Sequence, residues 1–244
     1  NFDKIFFLKV KCKILVFFFK KKYNFSEVIS MGIIIPLFLL VVSYLLGSIP
    51  WALIVSKLFK GIDIRDYGSK NMGATNVLRV LGFKYGLLVF ILDALKAGIV
   101  ILLFRIGLLD YTLDWMVLKI HPLIYGVVAL IGHLFPIFAN FRGGKGVSCC
   151  AGIVAAYNPV VFIIAFSVFV LVFIWKRYIS LSSLSAITAA FFASFIPVFG
   201  KHDLIFTIVL GIGVIALYLS HIPNIKRLIT HTEKKTKLFE KKDI

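Results

Sequence analysis

Apolar residues run along this chain in blocks of about twenty, and polar residues collect where the blocks end. The blocks lie at roughly 33–57, 84–106, 119–139, 181–199 and 203–220, with an interrupted stretch over 147–175. About 20 apolar residues of helix cross a bilayer, so each block predicts a membrane span. The interrupted stretch contains Tyr157-Asn158-Pro159. Pro159 disfavours helix at the residue before it, which divides the stretch into about 147–157 and 159–175. The first piece is short for a full crossing and predicts a thin span or a re-entrant half helix. The expected fold is all-α: a polytopic membrane helical bundle of about seven transmembrane segments, some short or broken.

The basic residues test that count. Lys57, Lys60 and Arg65 follow the first block, and Arg142 and Lys145 the third. Lys176 and Arg177 follow residue 175, and Lys226, Arg227 and a lysine-rich tail follow residue 220. Lys and Arg gather on the cytoplasmic side of a membrane protein. All four groups share one side only if 147–175 turns twice, which puts the start outside and the tail in the cytoplasm. Lys9, Lys11 and Lys13 conflict with this, because they would then lie outside. Residues 1–30 are too charged to span and lack the cleavage pattern of a signal peptide. Met31 opens the cleaner pattern. Residues 1–30 are therefore expected to be an N-terminal extension that is non-native or disordered. Residues 31–226 form the transmembrane domain, and 227–244 a basic cytoplasmic tail.

Composition agrees. The chain is 60% hydrophobic with a mean hydropathy of +0.98, where soluble domains are about 45–50% apolar. The net charge of +17 fits loops facing anionic lipid. Its placement at block ends argues against nucleic acid as a partner. Cys12 stands alone and Cys149-Cys150 are adjacent, so neither a disulfide framework nor metal-ligand spacing is present, and no metal is expected.

Three polar stretches carry the candidate chemistry. In residues 47–82, Ser48 precedes Pro50; it is either a hydroxyl bonded to its own helix or a functional group. Arg65, Ser69, Asn71, Thr75, Asn76 and Arg79 follow, dense in neutral donors around arginine, among glycines that permit tight turns. Residues 132–146, GHLFPIFANFRGGKG, place His133 at a span end and then Gly143, Gly144, Lys145 and Gly146. This is not a Walker A loop, because Val147 follows Gly146 and no glycine lies five before Gly144. Backbone amides opened by glycine, beside a helix N-terminus at about 147, still suit a phosphate. In residues 220–235, His221 and Asn224 stand one helical turn apart. Inside the second block, Asp93 and Lys96 are spaced i, i+3. They are either a self-paired ion pair or, for Lys96, a further phosphate ligand. An enzyme, a carrier for small anions and a structural subunit all remain open on these features. A carrier would place its polar groups mid-membrane on repeats, whereas here they gather on one face.

The blocks GSIP with IDIRDYGSKNMGATNVLR, GHLFPIF with FRGGKGV, and HIPNIKRL with Glu233 downstream resemble the bacterial acyl-phosphate glycerol-3-phosphate acyltransferases, over residues 32–238. The resemblance implies an integral membrane enzyme of phospholipid synthesis, multi-pass in the bacterial plasma membrane with its site facing the cytoplasm. It implies transfer of a fatty acyl group from acyl phosphate to the 1-hydroxyl of glycerol 3-phosphate, giving lysophosphatidic acid and phosphate, with no cofactor. Expected partners are the two substrates, the bilayer and the enzyme that supplies acyl phosphate. Ser48, His221 and Asn224 take catalytic roles. Gly143, Gly144, Lys145 and Gly146, helped by Ser69, Asn71, Thr75 and Asn76, would hold acyl phosphate. Arg65 and Lys96 would hold the glycerol 3-phosphate phosphate, with His133 and Glu233 also in the site. Three positions depart from the family pattern: Lys70 and His231 stand where glycine is frequent, and Ser148-Cys149 where Ala-Thr is usual.

Overall fold

A computed structural model of the chain describes residues 25–110, 117–196 and 203–236, with side chains from residue 31 onward. Residues 1–24 of the expected extension and 237–244 of the expected tail lie outside the described residues. All regular structure among the described residues is helical. In chain order the helices are α1 (Phe25–Ser48), α2 (Trp51–Lys60), α3 (Ala74–Leu81), α4 (Phe83–Arg105) and α5 (Pro122–Leu134). There follow α6 (Val147–Tyr157), α7 (Pro159–Lys176), α8 (Ile179–Ala193), α9 (Leu204–Ser220) and α10 (Ile222–Ile229), with 3-10 turns at Ile64–Asp66 and Ile137–Ala139.

Seven of these helices are apolar: α1 and α4 to α9. Four segments are long and apolar enough to cross a membrane, Met31–Ser48, Phe83–Arg105, Pro122–Ala139 and Pro159–Lys176. A fifth is counted if α9 and α10, bent by 62°, are taken together; α6 and α8 are shorter. The split at Asn158-Pro159 is as expected: Pro159 opens α7, and the Asn158 side chain accepts from the Val160 and Val161 amides. The first block differs from expectation. It is not one span to residue 57 but breaks after Ser48, because Pro50 has no amide hydrogen to continue the ladder. Residues 51–60 form the separate amphipathic α2, which buries Ala52 and Val55. Pro136 likewise stops α5 at Leu134, short of residue 139. At the C-terminal side, α10 runs through the expected boundary at 226/227.

The short α6 decides where the cavity lies. Its 11 residues rise only about 16 Å, and they pack on the second half of α4. Glycine lets the two helices touch: a Cβ at Gly152 would lie 1.9 Å from the Ala94 carbonyl oxygen, and one at Gly98 2.6 Å from that of Gly152. Cys149 Sγ meets the Asp93 carbonyl at 3.3 Å at one end of α6, and Arg105 donates to the Ala156 carbonyl at 3.2 Å at the other. The first half of α4 therefore rises past the start of α6 and leaves a recess. Asp93, mid-span by sequence, stands at its floor.

Candidate active site

The recess is a cavity of about 660 Å³, to which all three polar stretches and the start of α8 contribute. Ser69, Asn71, Thr75, Asn76 and Arg79 come from the segment around α3; His133, Lys145, Gly146 and Ser148 from the end of α5 and the start of α6. Ser180 comes from α8, and His221, Asn224, Arg227 and Glu233 from α10 and the strand of chain beyond it. Both α3 and α6 begin on glycine, Gly73 and Gly146, with no side-chain cap. Their first amides, and the positive ends of their dipoles, thus serve the cavity.

Glu233 ties the site together. Its carboxylate accepts from Ser180 Oγ at 3.1 Å, Asn224 Nδ2 at 2.8 Å and Arg227 Nε at 2.6 Å. Arg79 approaches at 3.5 Å, and Asn224 in turn accepts from Lys145. Burial raises the Glu233 carboxyl, but the hydrogen bonds from Arg227 and Asn224 outweigh it and hold it below the usual carboxylate range. One carboxylate thus arranges three cations, leaving a surplus of positive charge. Burial and the neighbouring Arg227 push the Lys145 ammonium down to about 8.

His221 closes α9. Its Nδ1 lies 2.8 Å from the Leu217 carbonyl oxygen; a carbonyl only accepts, so Nδ1 carries the hydrogen and Nε2 keeps the lone pair. Burial and the Lys145 charge push its pKa down to about 4, so the ring is neutral at physiological pH. Ser220 Oγ, beside it, reaches the Lys145 carbonyl at 3.4 Å.

Not every expected site residue faces the cavity. Asn76 lines it, but its amide is engaged locally: Oδ1 accepts from the Ser69 amide at 2.8 Å, and Nδ2 donates to the Ile64 and Tyr67 carbonyls. Arg65 is not among the lining residues. Its guanidinium is paired with Asp63 at 2.6 Å, and the hydrogen bond it donates holds the Asp63 carboxyl down at about 2. Lys96 is buried behind the lining, 2.7 Å from Asp93 Oδ1 and 2.8 Å from the Ile49 carbonyl oxygen. Arg65 and Lys96 are therefore not brought together on one phosphate. Ser48 is fully buried beside the α1–α2 break, its hydroxyl unpartnered. Gly143 and Gly144 pack behind the loop: a Cβ on Gly144 would lie 2.2 Å from His133 Nε2, and one on Gly143 2.1 Å from the His133 carbonyl oxygen. Arg79, Ser180 and Arg227 had no assigned role in the sequence. Arg227 follows Asn224 by one helical turn, a signal that was available; Ser180 has none, because only the fold brings α8 to Glu233.

Similarity to known proteins identifies the family. The glycerol-3-phosphate acyltransferase family model matches residues 37–231. The chain is 43% identical to a glycerol-3-phosphate acyltransferase of Bacillus cytotoxicus, over 83% of this chain and 96% of the relative. It is 43% identical to one of Aquifex aeolicus, over 81% and 97%. Among solved structures, the crystal structure of PlsY, an integral membrane glycerol 3-phosphate acyltransferase, in its glycerol 3-phosphate form superposes with a TM-score of 0.70 at 39% identity, covering 82% of this chain and 95% of that one. Its lysophosphatidic acid form gives 0.69 at 39% identity. The chain is thus a multi-pass membrane protein that belongs to the glycerol-3-phosphate acyltransferase family.

Proposed function

We propose that the protein transfers a fatty acyl group from acyl phosphate to the 1-hydroxyl of glycerol 3-phosphate, releasing lysophosphatidic acid and phosphate. The observation that carries this reading is the convergence of Arg79, Lys145 and Arg227 on one cavity, with Lys234 and Lys235 also in its lining. That is charge for two phosphoryl groups, in a volume within the range of small-molecule sites. A second, almost wholly apolar cavity of about 80 Å³ shares Val147 and Ser183 with the first and runs between Phe162, Phe166, Leu217 and Val154. It offers an apolar path for the first carbons of the acyl chain, with the phosphate end in the cationic cavity and the rest of the chain toward lipid. The Lys and Arg groups at this end of the bundle support a site facing the cytoplasm of a bacterial plasma membrane, where a supplying enzyme delivers acyl phosphate.

An acyl phosphate is a mixed anhydride, so the protein's contribution is orientation and charge neutralisation. The acceptor hydroxyl oxygen bonds to the carbonyl carbon, the carbon–oxygen bond to phosphate breaks, and phosphate leaves with the bonding pair. Lys145 and the α6 amides neutralise that leaving phosphate; Arg79 and Arg227 hold the acceptor, an arrangement suited to arginine's planar fork. The neutral His221, with its lone pair on Nε2, accepts a hydrogen bond from the attacking hydroxyl. As a base titrating near 4 it orients the hydroxyl rather than removing its proton outright. The departing phosphate, more basic than that ring, takes the proton. Purified protein given acyl phosphate and glycerol 3-phosphate releases phosphate and forms the acyl ester in equal amounts. A carrier of anions releases none, and that result ends the reading.

A further inference from the structure

We propose that Asp93, Lys96 and His133 form a positioning brace that holds the Gly143–Gly146 loop at a fixed distance from the α1–α2 break. The inference rests on the acyl-transfer reading of the cavity. The three side chains lie in the bundle interior, exposed by 1%, 6% and 5%, where ionisable groups are costly. Asp93 Oδ1 stands 2.7 Å from the Lys96 ammonium and 3.6 Å from His133 Nδ1. Lys96 reaches across to the Ile49 carbonyl at 2.8 Å. That carbonyl lies at the break before Pro50, where it also accepts the Trp51 amide at 3.1 Å, and the dipole at the C-terminal end of α1 favours a cation there. On the other side, His133 presents its ring to Gly144 so closely that no Cβ fits. Its carbonyl accepts the Gly144 amide at 3.2 Å. Four elements are thus referred to one carboxylate: the α1–α2 break, α4, α5 and the anion loop.

A stabilising role alone does not account for this arrangement, because an apolar pair of the same shape commonly serves stability as well or better than a buried ion pair. An ionic brace instead fixes geometry. A displacement of about 1 Å at a reacting centre costs about 10²-fold in rate.

The test uses the full chain in detergent with two readouts, steady-state kinetics and hydrogen exchange of residues 143–146. In Asp93→Asn, kcat falls about 10- to 100-fold with KM little changed, the pattern of an interaction that matters in the transition state. Loop exchange quickens while α7 exchange does not. Asp93→Asn/Lys96→Met leaves no unpaired buried charge, so it folds at least as well as the single variant, yet keeps the lowered kcat and the faster loop exchange. Wild-type kcat and loop exchange in the double variant overturn the brace. So does exchange that quickens equally in α7 and the loop, which marks a general stabiliser. If the wild type itself turns over neither substrate, the acyl-transfer reading falls, and the exchange comparison still decides the brace.

Discussion

The two ends of the bundle hold the same residue types and use them oppositely. At the far end, His121, Tyr157, Asn158 and Asp203 stand at helix termini. Asp203 accepts from the Ile205 and Phe206 amides at 2.9 and 3.2 Å, and also from Tyr157. His121 Nδ1 accepts from the Leu123 amide at 3.4 Å, which turns Nε2 toward Asp203 at 3.8 Å. His121, Asn158 and Asp203 each cap a helix N-terminus, and Tyr157 gives its hydroxyl hydrogen to one of those caps. At the cavity end the tautomer is reversed: His221 gives its Nδ1 hydrogen to a carbonyl and keeps its acceptor nitrogen. Two of the helices that start there, α3 and α6, have glycine where the far end has capping side chains. A closed end satisfies its own amides; an open end keeps amides and cations for a ligand.

The sharpest way to break this contrast is to remove charge from the open end. On the proposed mechanism, Lys145→Met takes a cation from the leaving phosphate. Turnover is expected to fall about 10²- to 10³-fold, the usual cost of deleting one charge-stabilising donor, with little change in melting temperature. Phosphate release with thermal unfolding measured on the same sample checks both halves. A variant that melts early but turns over normally would make Lys145 a structural residue like those of the far end.

The same lysine gives a pH signature. Its pKa in the free protein is about 8, against an ordinary 10.5. Above pH 8 the ammonium is lost, so kcat/KM for acyl phosphate, which reports the free enzyme, is expected to fall about tenfold per pH unit from there. Stability moves the other way. Between about 8 and 10.5 the unfolded chain binds the proton that the folded chain has lost, so this group's contribution to stability rises with pH. A kcat/KM profile flat from pH 7 to 9 would detach Lys145 from the donor phosphate.

Much of this was legible in the sequence, and the rest fails for identifiable reasons. Apolar blocks gave the spans, and Asn158-Pro159 the division of the fourth block. Pro50 was equally visible, but Trp51 to Val55 continue the apolar pattern, and only the amphipathicity of α2 shows that the chain has left the first span. Spacing showed Asp93 beside Lys96. It did not show that the Ile49 carbonyl and His133 complete the set, because those contacts join residues 47 and 40 positions apart in sequence. The resemblance makes Arg65 a phosphate ligand, and its pairing with Asp63, two residues away, follows from the 3-10 turn at Ile64–Asp66.

Removing a far-end group has a smaller and different effect. Asp203→Ala deletes the cap of α9 and is expected to cost about 1 kcal/mol of stability, leaving turnover per folded molecule unchanged. Thermal unfolding and activity normalised to folded protein separate the two. A drop in turnover at unchanged stability would show that the far end communicates with the cavity, and the division of labour between the ends would fail.

The smallest effects come from Lys70 and His231, the positions where the family resemblance leads one to expect glycine. Both have left-handed backbone, with φ of 59° and 56°. That conformation costs a side-chain-bearing residue about 1–2 kcal/mol, while glycine costs about 0.5–1 kcal/mol more chain entropy on folding. Lys70→Gly and His231→Gly are therefore each expected to stabilise by less than about 1 kcal/mol. The two lie in separate turns, so their gains should add in the double variant. Both turns border the cavity, one beside Ser69 and Asn71, the other leading into Glu233, so their geometry matters more than their side chains. Turnover should stay at the wild-type value while the melting temperature rises. A loss of stability in either variant would mean that its side chain holds the turn by contacts worth more than the strain of its backbone.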